Sequence, residues 1–155
     1  NVLLWADVMD RYGTVKRLKN EELELGYRTS ALERRGLFAV RAAFSLTTGD
    51  PGAIREKMEE LAAKRKEKQP LEYPSAGSTF KRPEGYFAGK LIEDAGLKGF
   101  YVGGAAVSEK HAGFVINKDH GTAADILELC NEVKRRVKEN SGVDLEMEVK
   151  LLGDF

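Results

Sequence analysis

Two prolines bracket the segment Pro74-Ser75-Ala76-Gly77-Ser78-Thr79-Phe80-Lys81-Arg82-Pro83, where the backbone can neither continue as a helix nor pair as a central strand. The segment is therefore a rigid loop, and the flanking elements must arrange themselves around it. Gly77 permits a turn or a close backbone approach that a side chain would block. Ser78 lies near two adjacent cations, Lys81 and Arg82, so a hydroxyl proton donor sits beside an anion-binding pair. On composition alone the same segment also reads as an ordinary surface turn.

With 155 residues, 42% of them apolar, the chain can bury a real core as one domain, or as one domain plus a piece of another. Lys+Arg 25 and Asp+Glu 25 cancel, so no global field draws the chain to nucleic acid or an anionic membrane, and neither is expected as a partner. Any anion site must be local. No apolar run approaches the roughly 20 residues that span a bilayer. The one cysteine, Cys130, falls on the apolar side of an expected helix and points to a reduced, cytoplasmic setting. His111 and His120 have no Cys or carboxylate cluster at ligand spacing, so no metal site is expected. The sequence opens at Asn1 directly on an apolar run, from which we expect residues 1–155 to be the later part of a longer polypeptide.

Val2 to Met9 is apolar on both alternating faces, as in a strand covered on both sides, and Thr14 to Leu18 returns after a Tyr12-Gly13 turn. A lone hairpin is marginal in water, so this one should belong to a larger sheet. Leu25 to Ser30 is a bend carrying Tyr27 and Arg28. Leu37 to Leu46 alternates, with Phe38, Val40, Ala42, Phe44 and Leu46 on one face of a half-buried strand. Asp50-Pro51 starts a helix whose Ile54, Met58, Leu61 and Ala62 recur at helical spacing. After the proline-bounded loop, a helix over Tyr86 to Ala95 stops at Gly96, and two short strands flank a polar turn between Gly99 and Asn117. Gly103-Gly104 is a weak phosphate signal and reads better as packing at a strand edge. Thr122 and Asp125 form a capping-box pattern ahead of the stripe Ile126, Cys130, Val133 and Val137. Leu145, Met147, Val149 and Leu151 then alternate in a terminal strand that turns Glu148 away from the core. These elements give an α+β class, with a division expected in the polar connector, between residues 1–30 and 31–155.

Three separated motifs resemble those of the UDP-N-acetylenolpyruvoylglucosamine reductase family, flavoenzymes of peptidoglycan precursor synthesis. They are Tyr27-Arg28-Thr29-Ser30, Ala76-Gly77-Ser78-Thr79-Phe80-Lys81-Arg82-Pro83 and Leu145-Glu146-Met147-Glu148-Val149-Lys150. Glu93 to Gly99 and Val107 to Phe114 are similar to the same family, so the resemblance runs over essentially the whole chain. It implies an oxidoreductase in which NADPH reduces bound FAD, hydride passes to the enolpyruvyl C3, and a serine delivers a proton to C2. By motif position that serine is Ser78. The family's arginine and late glutamate fall on Arg28 and Glu148, placed around the substrate carboxylate and developing enolate. Tyr27, Lys81 and Arg82 are the implied substrate-binding residues. The implied fold is the C-terminal substrate-binding domain (31–155), preceded by the last hairpin of the FAD-binding domain (1–30).

These roles suit the residue types. Hydride addition to an unsaturated acid builds charge on the carboxylate side, which fixed donors stabilise best where water is excluded. Arg28 supplies a planar fork matched to a carboxylate. Serine is a weak acid, so Ser78 has to face a carbanion-like centre, with neighbours that stabilise the alkoxide. Lys81 or Arg82 can do that, or can contact the nucleotide diphosphate. The family's N-terminal flavin-binding region, with its Gly-rich phosphate loops, lies outside residues 1–155, so the N-terminal half of the same enzyme is the expected partner and the chain alone is not expected to hold FAD. No long insertion carrying a tyrosine loop separates Arg28 from Ser78, as in the family's shorter branch. The rival reading is a non-catalytic module that holds a nucleotide sugar.

Overall fold

The structure, a computed structural model, describes residues 2–153. The chain divides into two compact units, Asn1–Ile54 and Arg55–Phe155.

The first unit is a three-stranded antiparallel sheet in the order β2-β1-β3, formed by β1 (Leu3–Met9), β2 (Val15–Lys19) and β3 (Phe38–Phe44). The β1–β2 hairpin closes through the Asp10 carboxylate, which accepts from the amides of Tyr12 and Thr14 at 2.8 and 3.0 Å, while Gly13 takes φ 84°. Ala6, Val8, Leu18 and Leu23 make a small core on one face, joined by Leu3, by Leu32 of the single-turn helix α1 (Ala31–Arg34) and by Leu37. The other face carries Asp7, whose carboxylate accepts from Arg17 at 2.7 Å and from Arg41 at 2.6 Å. The Arg17 guanidinium also lies 3.4 Å from the Trp5 ring centroid.

β3 pairs with β1 (Trp5 opposite Ala43, Met9 opposite Phe38) and so joins the hairpin's sheet, and the first unit runs on to Ile54. Two expectations change here. β1 is not covered along its whole length: Ala6, Asp7 and Val8 are buried, but Leu4 is 49% exposed. β3 is not half-buried either, since Phe38, Val40, Phe44 and Leu46 are all exposed. Among the described residues a three-stranded sheet with β3 at its edge supplies no second layer over these side chains.

The helix from Pro51 forms as α2 (Pro51–Lys68), with the Asp50 carboxylate accepting from the Ala53 amide at 2.8 Å as its N-terminal cap. Its apolar stripe is exposed, contrary to the expected inward face: no residue of α2 is buried. Periodicity marks a stripe as apolar without supplying the surface that covers it.

The second unit packs α3 (Ala88–Asp94) and α4 (Ala123–Ser141) against a meander of β4 (Tyr101–Val102), β5 (Ala105–Val107) and β6 (Val115–Asn117). The capping box is present in full. The Thr122 hydroxyl accepts from the Asp125 amide, and the Asp125 carboxylate accepts from the Thr122 amide. Leu129, Cys130, Val133 and Val137 of α4 are buried, and Gly142 ends the helix in the left-handed region at φ 73°. Gly103-Gly104 is a packing device. A Cβ on Gly104 would stand 2.1 Å from the Asp119 carbonyl and 2.3 Å from the Gly121 nitrogen. The backbone of the β4–β5 turn therefore lies directly on the residues that lead into α4. The architecture is α+β, as the sequence leads one to expect, and no described helix is long and apolar enough to cross a membrane.

Candidate active site

Pro74 to Pro83 runs between the entry to β6 and the last described stretch of the chain, bonded on both sides. On one side the Thr79 amide donates to the Gly113 carbonyl at 2.9 Å, the Asn117 amide donates to Pro74 at 2.9 Å, and the Ser75 hydroxyl donates to the Val115 carbonyl at 2.8 Å. On the other side the Lys81 amide donates to Glu146 and the Glu148 amide donates to Thr79, each at 2.8 Å. The loop is thus a short third party between two segments far apart in sequence.

This geometry replaces the expected terminal strand. Leu145 to Leu151 forms no regular strand. Its backbone pairing with the loop is a single antiparallel bridge, Met147 to Phe80, with the two amide bonds around it. The partner segment is only a few residues long, and Pro83 has no N–H with which to extend a ladder. Leu145 is buried and Met147 half-buried, as the alternation suggests, but Glu148 and Val149 are half-buried together.

Of the two neighbouring hydroxyls, the loop turns one inward and one outward. Thr79 is buried, and its Oγ1 accepts from the Val115 amide at 2.9 Å, whereas Ser78 is exposed. Gly77, at φ 92°, provides the turn just before them, and its amide donates to the Ser75 hydroxyl at 3.2 Å. Thr79 anchors and Ser78 is presented. Sequence reading did not single out Thr79, although a hydroxyl between Ser78 and an inward Phe80 is the signal that could have done so. The Lys81 ammonium pairs with the Glu146 carboxylate. The Arg82 guanidinium lies 3.9 Å from the Phe87 ring centroid and donates to the Tyr86 carbonyl at 3.2 Å. Ser78, Lys81, Arg82 and Glu148 therefore share one region of the second unit.

Behind the loop lies a mostly apolar pocket of about 190 Å³, walled by Ala76, Thr79, Ile126, Cys130, Met147 and Val149. Burial pushes the Cys130 thiol up to about 11, so it is not a thiolate nucleophile at neutral pH.

Tyr27 and Arg28 belong to the first unit. They occupy the tip of a tight turn in which the Gly26 amide donates to the Thr29 carbonyl at 3.0 Å and Thr29 returns a bond at 3.4 Å. Arg28 takes φ 54°, a left-handed conformation costing about 1–2 kcal/mol for a side chain of this kind. Its guanidinium lies 5.5 Å from the Tyr27 ring centroid. The Thr29 hydroxyl accepts from Arg34 at 3.1 Å, and Arg34 and Arg35 both pair with Glu24. Strain of this kind persists where the surroundings fix the turn, and such positions cluster at functional sites.

Residues 69–152 match the family model described as UDP-N-acetylenolpyruvoylglucosamine reductase, C-terminal domain. The chain is 54% identical over 153 residues to the UDP-N-acetylenolpyruvoylglucosamine reductase of Clostridium perfringens (strain SM101 / Type A), covering 99% of this chain and 50% of that protein. It is 57% identical over 154 residues to that of Geobacillus kaustophilus (strain HTA426), covering 99% of this chain and 51% of the relative. The crystal structure of the reductase from Thermus caldophilus superposes with a TM-score of 0.80 at 37% identity, over 96% of this chain and 52% of that one. The chain thus spans about half the length of the relatives it matches, and over that half it belongs to the UDP-N-acetylenolpyruvoylglucosamine reductase family.

Proposed function

We propose that this chain is the C-terminal part of a cytoplasmic, NADPH-dependent and FAD-mediated reductase that converts UDP-N-acetylglucosamine enolpyruvate to UDP-N-acetylmuramate for cell-wall synthesis. In this reading FAD is held mainly by the N-terminal half of the enzyme, and when bound there it would supply the hydride for C3 of the enolpyruvyl group.

This chain's residues handle the proton and the charge. Ser78 gives its hydroxyl proton to C2, so that hydride at C3 and proton at C2 together saturate the double bond. Arg28 forks onto the substrate carboxylate and stabilises the developing enolate. Glu148 acts in the same step, and Tyr27, Lys81 and Arg82 hold the nucleotide sugar. The observation that carries the reading is the 2.8 Å bond from the Glu148 amide to the Thr79 carbonyl, which sets the late glutamate's backbone beside the residue following Ser78.

Co-expression with the missing N-terminal half tests it. A yellow complex that bleaches with NADPH and recovers colour with the enolpyruvyl sugar nucleotide supports the reductase. A colourless complex that binds the sugar nucleotide without turnover supports the non-catalytic module instead.

A further inference from the structure

His111 is built into the structure by features from two elements. Its Nδ1 accepts from the Gly113 amide at 3.0 Å, and its ring meets Phe114 edge-on at 5.1 Å with an interplanar angle of 70°. Two glycines leave the slot in which the ring lies. A Cβ on Gly89 of α3 would stand 3.2 Å from the imidazole Cε1, and one on Gly113 would stand 3.0 Å from the same atom. Gly113 links His111 to the serine loop: its amide is held by the imidazole, and its carbonyl, in the following peptide, accepts from the Thr79 amide at 2.9 Å, while the Phe114 amide of that peptide donates to the His111 carbonyl at 3.0 Å. The preceding turn is closed by buried Ser108, whose hydroxyl accepts from the amides of Lys110 and His111 at 3.2 and 3.3 Å.

We propose that His111 is a positioning residue for the serine loop: by accepting from the Gly113 amide through Nδ1 it restrains Gly113, the residue whose carbonyl holds Thr79, and so helps set where the adjacent Ser78 is presented. This rests on the reading of Ser78 as proton donor. The ring acts as an acceptor two residues ahead of its own backbone, a geometry that an Asn side chain reproduces and Leu does not.

The test compares His111→Leu with His111→Asn. In the 155-residue chain, amide hydrogen exchange at Gly113 and Thr79 should rise roughly 2- to 10-fold in His111→Leu, the scale of one lost hydrogen bond. It should return to the parent rate in His111→Asn, with Leu129 and Val133 of α4 unchanged in both. In the complex with the N-terminal half, His111→Leu should lower kcat for the substrate half-reaction with KM little changed, and Asn should restore it. Unchanged Thr79 exchange in His111→Leu overturns the proposal. So does an Asn variant that restores exchange without restoring kcat, which would mean that the imidazole itself meets the substrate. If the parent complex shows no reductase activity, the proposed function fails while the exchange comparison still decides whether His111 holds the loop.

Discussion

The amide of Glu148 donates to the carbonyl of Thr79 at 2.8 Å, and this bond, with its companion from Lys81 to Glu146, ties the end of the chain to the loop that presents Ser78. The loop therefore cannot move independently of the segment carrying Glu148.

Thr79→Val keeps the shape of a buried side chain and removes the acceptor for the Val115 amide. A buried N–H left without a partner costs about 1–3 kcal/mol, so the unfolding free energy from urea titration should fall by that amount, whereas Thr79→Ser should recover much of it. Equal stability in Thr79→Val and the parent would mean that the hydroxyl is not the anchor.

Asp7 gives a pH signature confined to the first unit. Hydrogen bonds from Arg17 and Arg41 lower its carboxyl from 3.8 to about 2. A carboxylate depressed in the fold contributes stability that is fully present above its unfolded value and lost as pH falls through the folded one. The sheet should therefore weaken between about pH 4 and pH 2. The chain's one tryptophan, Trp5, lies against Arg17 and reports the change through its fluorescence. Asp7→Asn should flatten the acid limb of a Trp5-monitored stability curve, and an unaltered limb would assign the acid sensitivity elsewhere.

Much of the second unit was legible because its signals are local. The Thr122–Asp125 box, the Ile126 to Val137 stripe and Gly142 lie within one helix's reach, and all three appear in α4. Pairing across distance was not. Nothing near Phe38 says that it sits opposite Met9, so the pairing of β3 with the hairpin is not legible in the local pattern. Alternation in β3 and the stripe on α2 showed apolar faces without showing whether a covering layer exists. At the site, the sequence offered two adjacent hydroxyls. Only the bond from Val115 distinguishes inward Thr79 from outward Ser78.

Cys130 forms part of the pocket wall behind the loop, with burial raising its thiol to about 11. Alkylation at neutral pH should be slow in the folded chain and should accelerate in step with unfolding by urea. Rapid labelling of the native protein, with no change in its circular dichroism, would show that the helix face opens locally.

The most direct measurement is stopped-flow absorbance of the flavin in the complex with the N-terminal half, made on Ser78→Ala and Glu148→Gln side by side. Reduction by NADPH requires no proton at the enolpyruvyl C2 and should proceed near the parent rate in both variants. Reoxidation by the enolpyruvyl sugar nucleotide should slow by about 10² to 10⁴-fold in Ser78→Ala, the scale of lost general acid catalysis, and should also be slowed in Glu148→Gln, with little loss of thermal stability. Equal losses in the two half-reactions, or reoxidation at the parent rate in either variant, would contradict the assignment of Ser78 and Glu148 to one proton-transfer step.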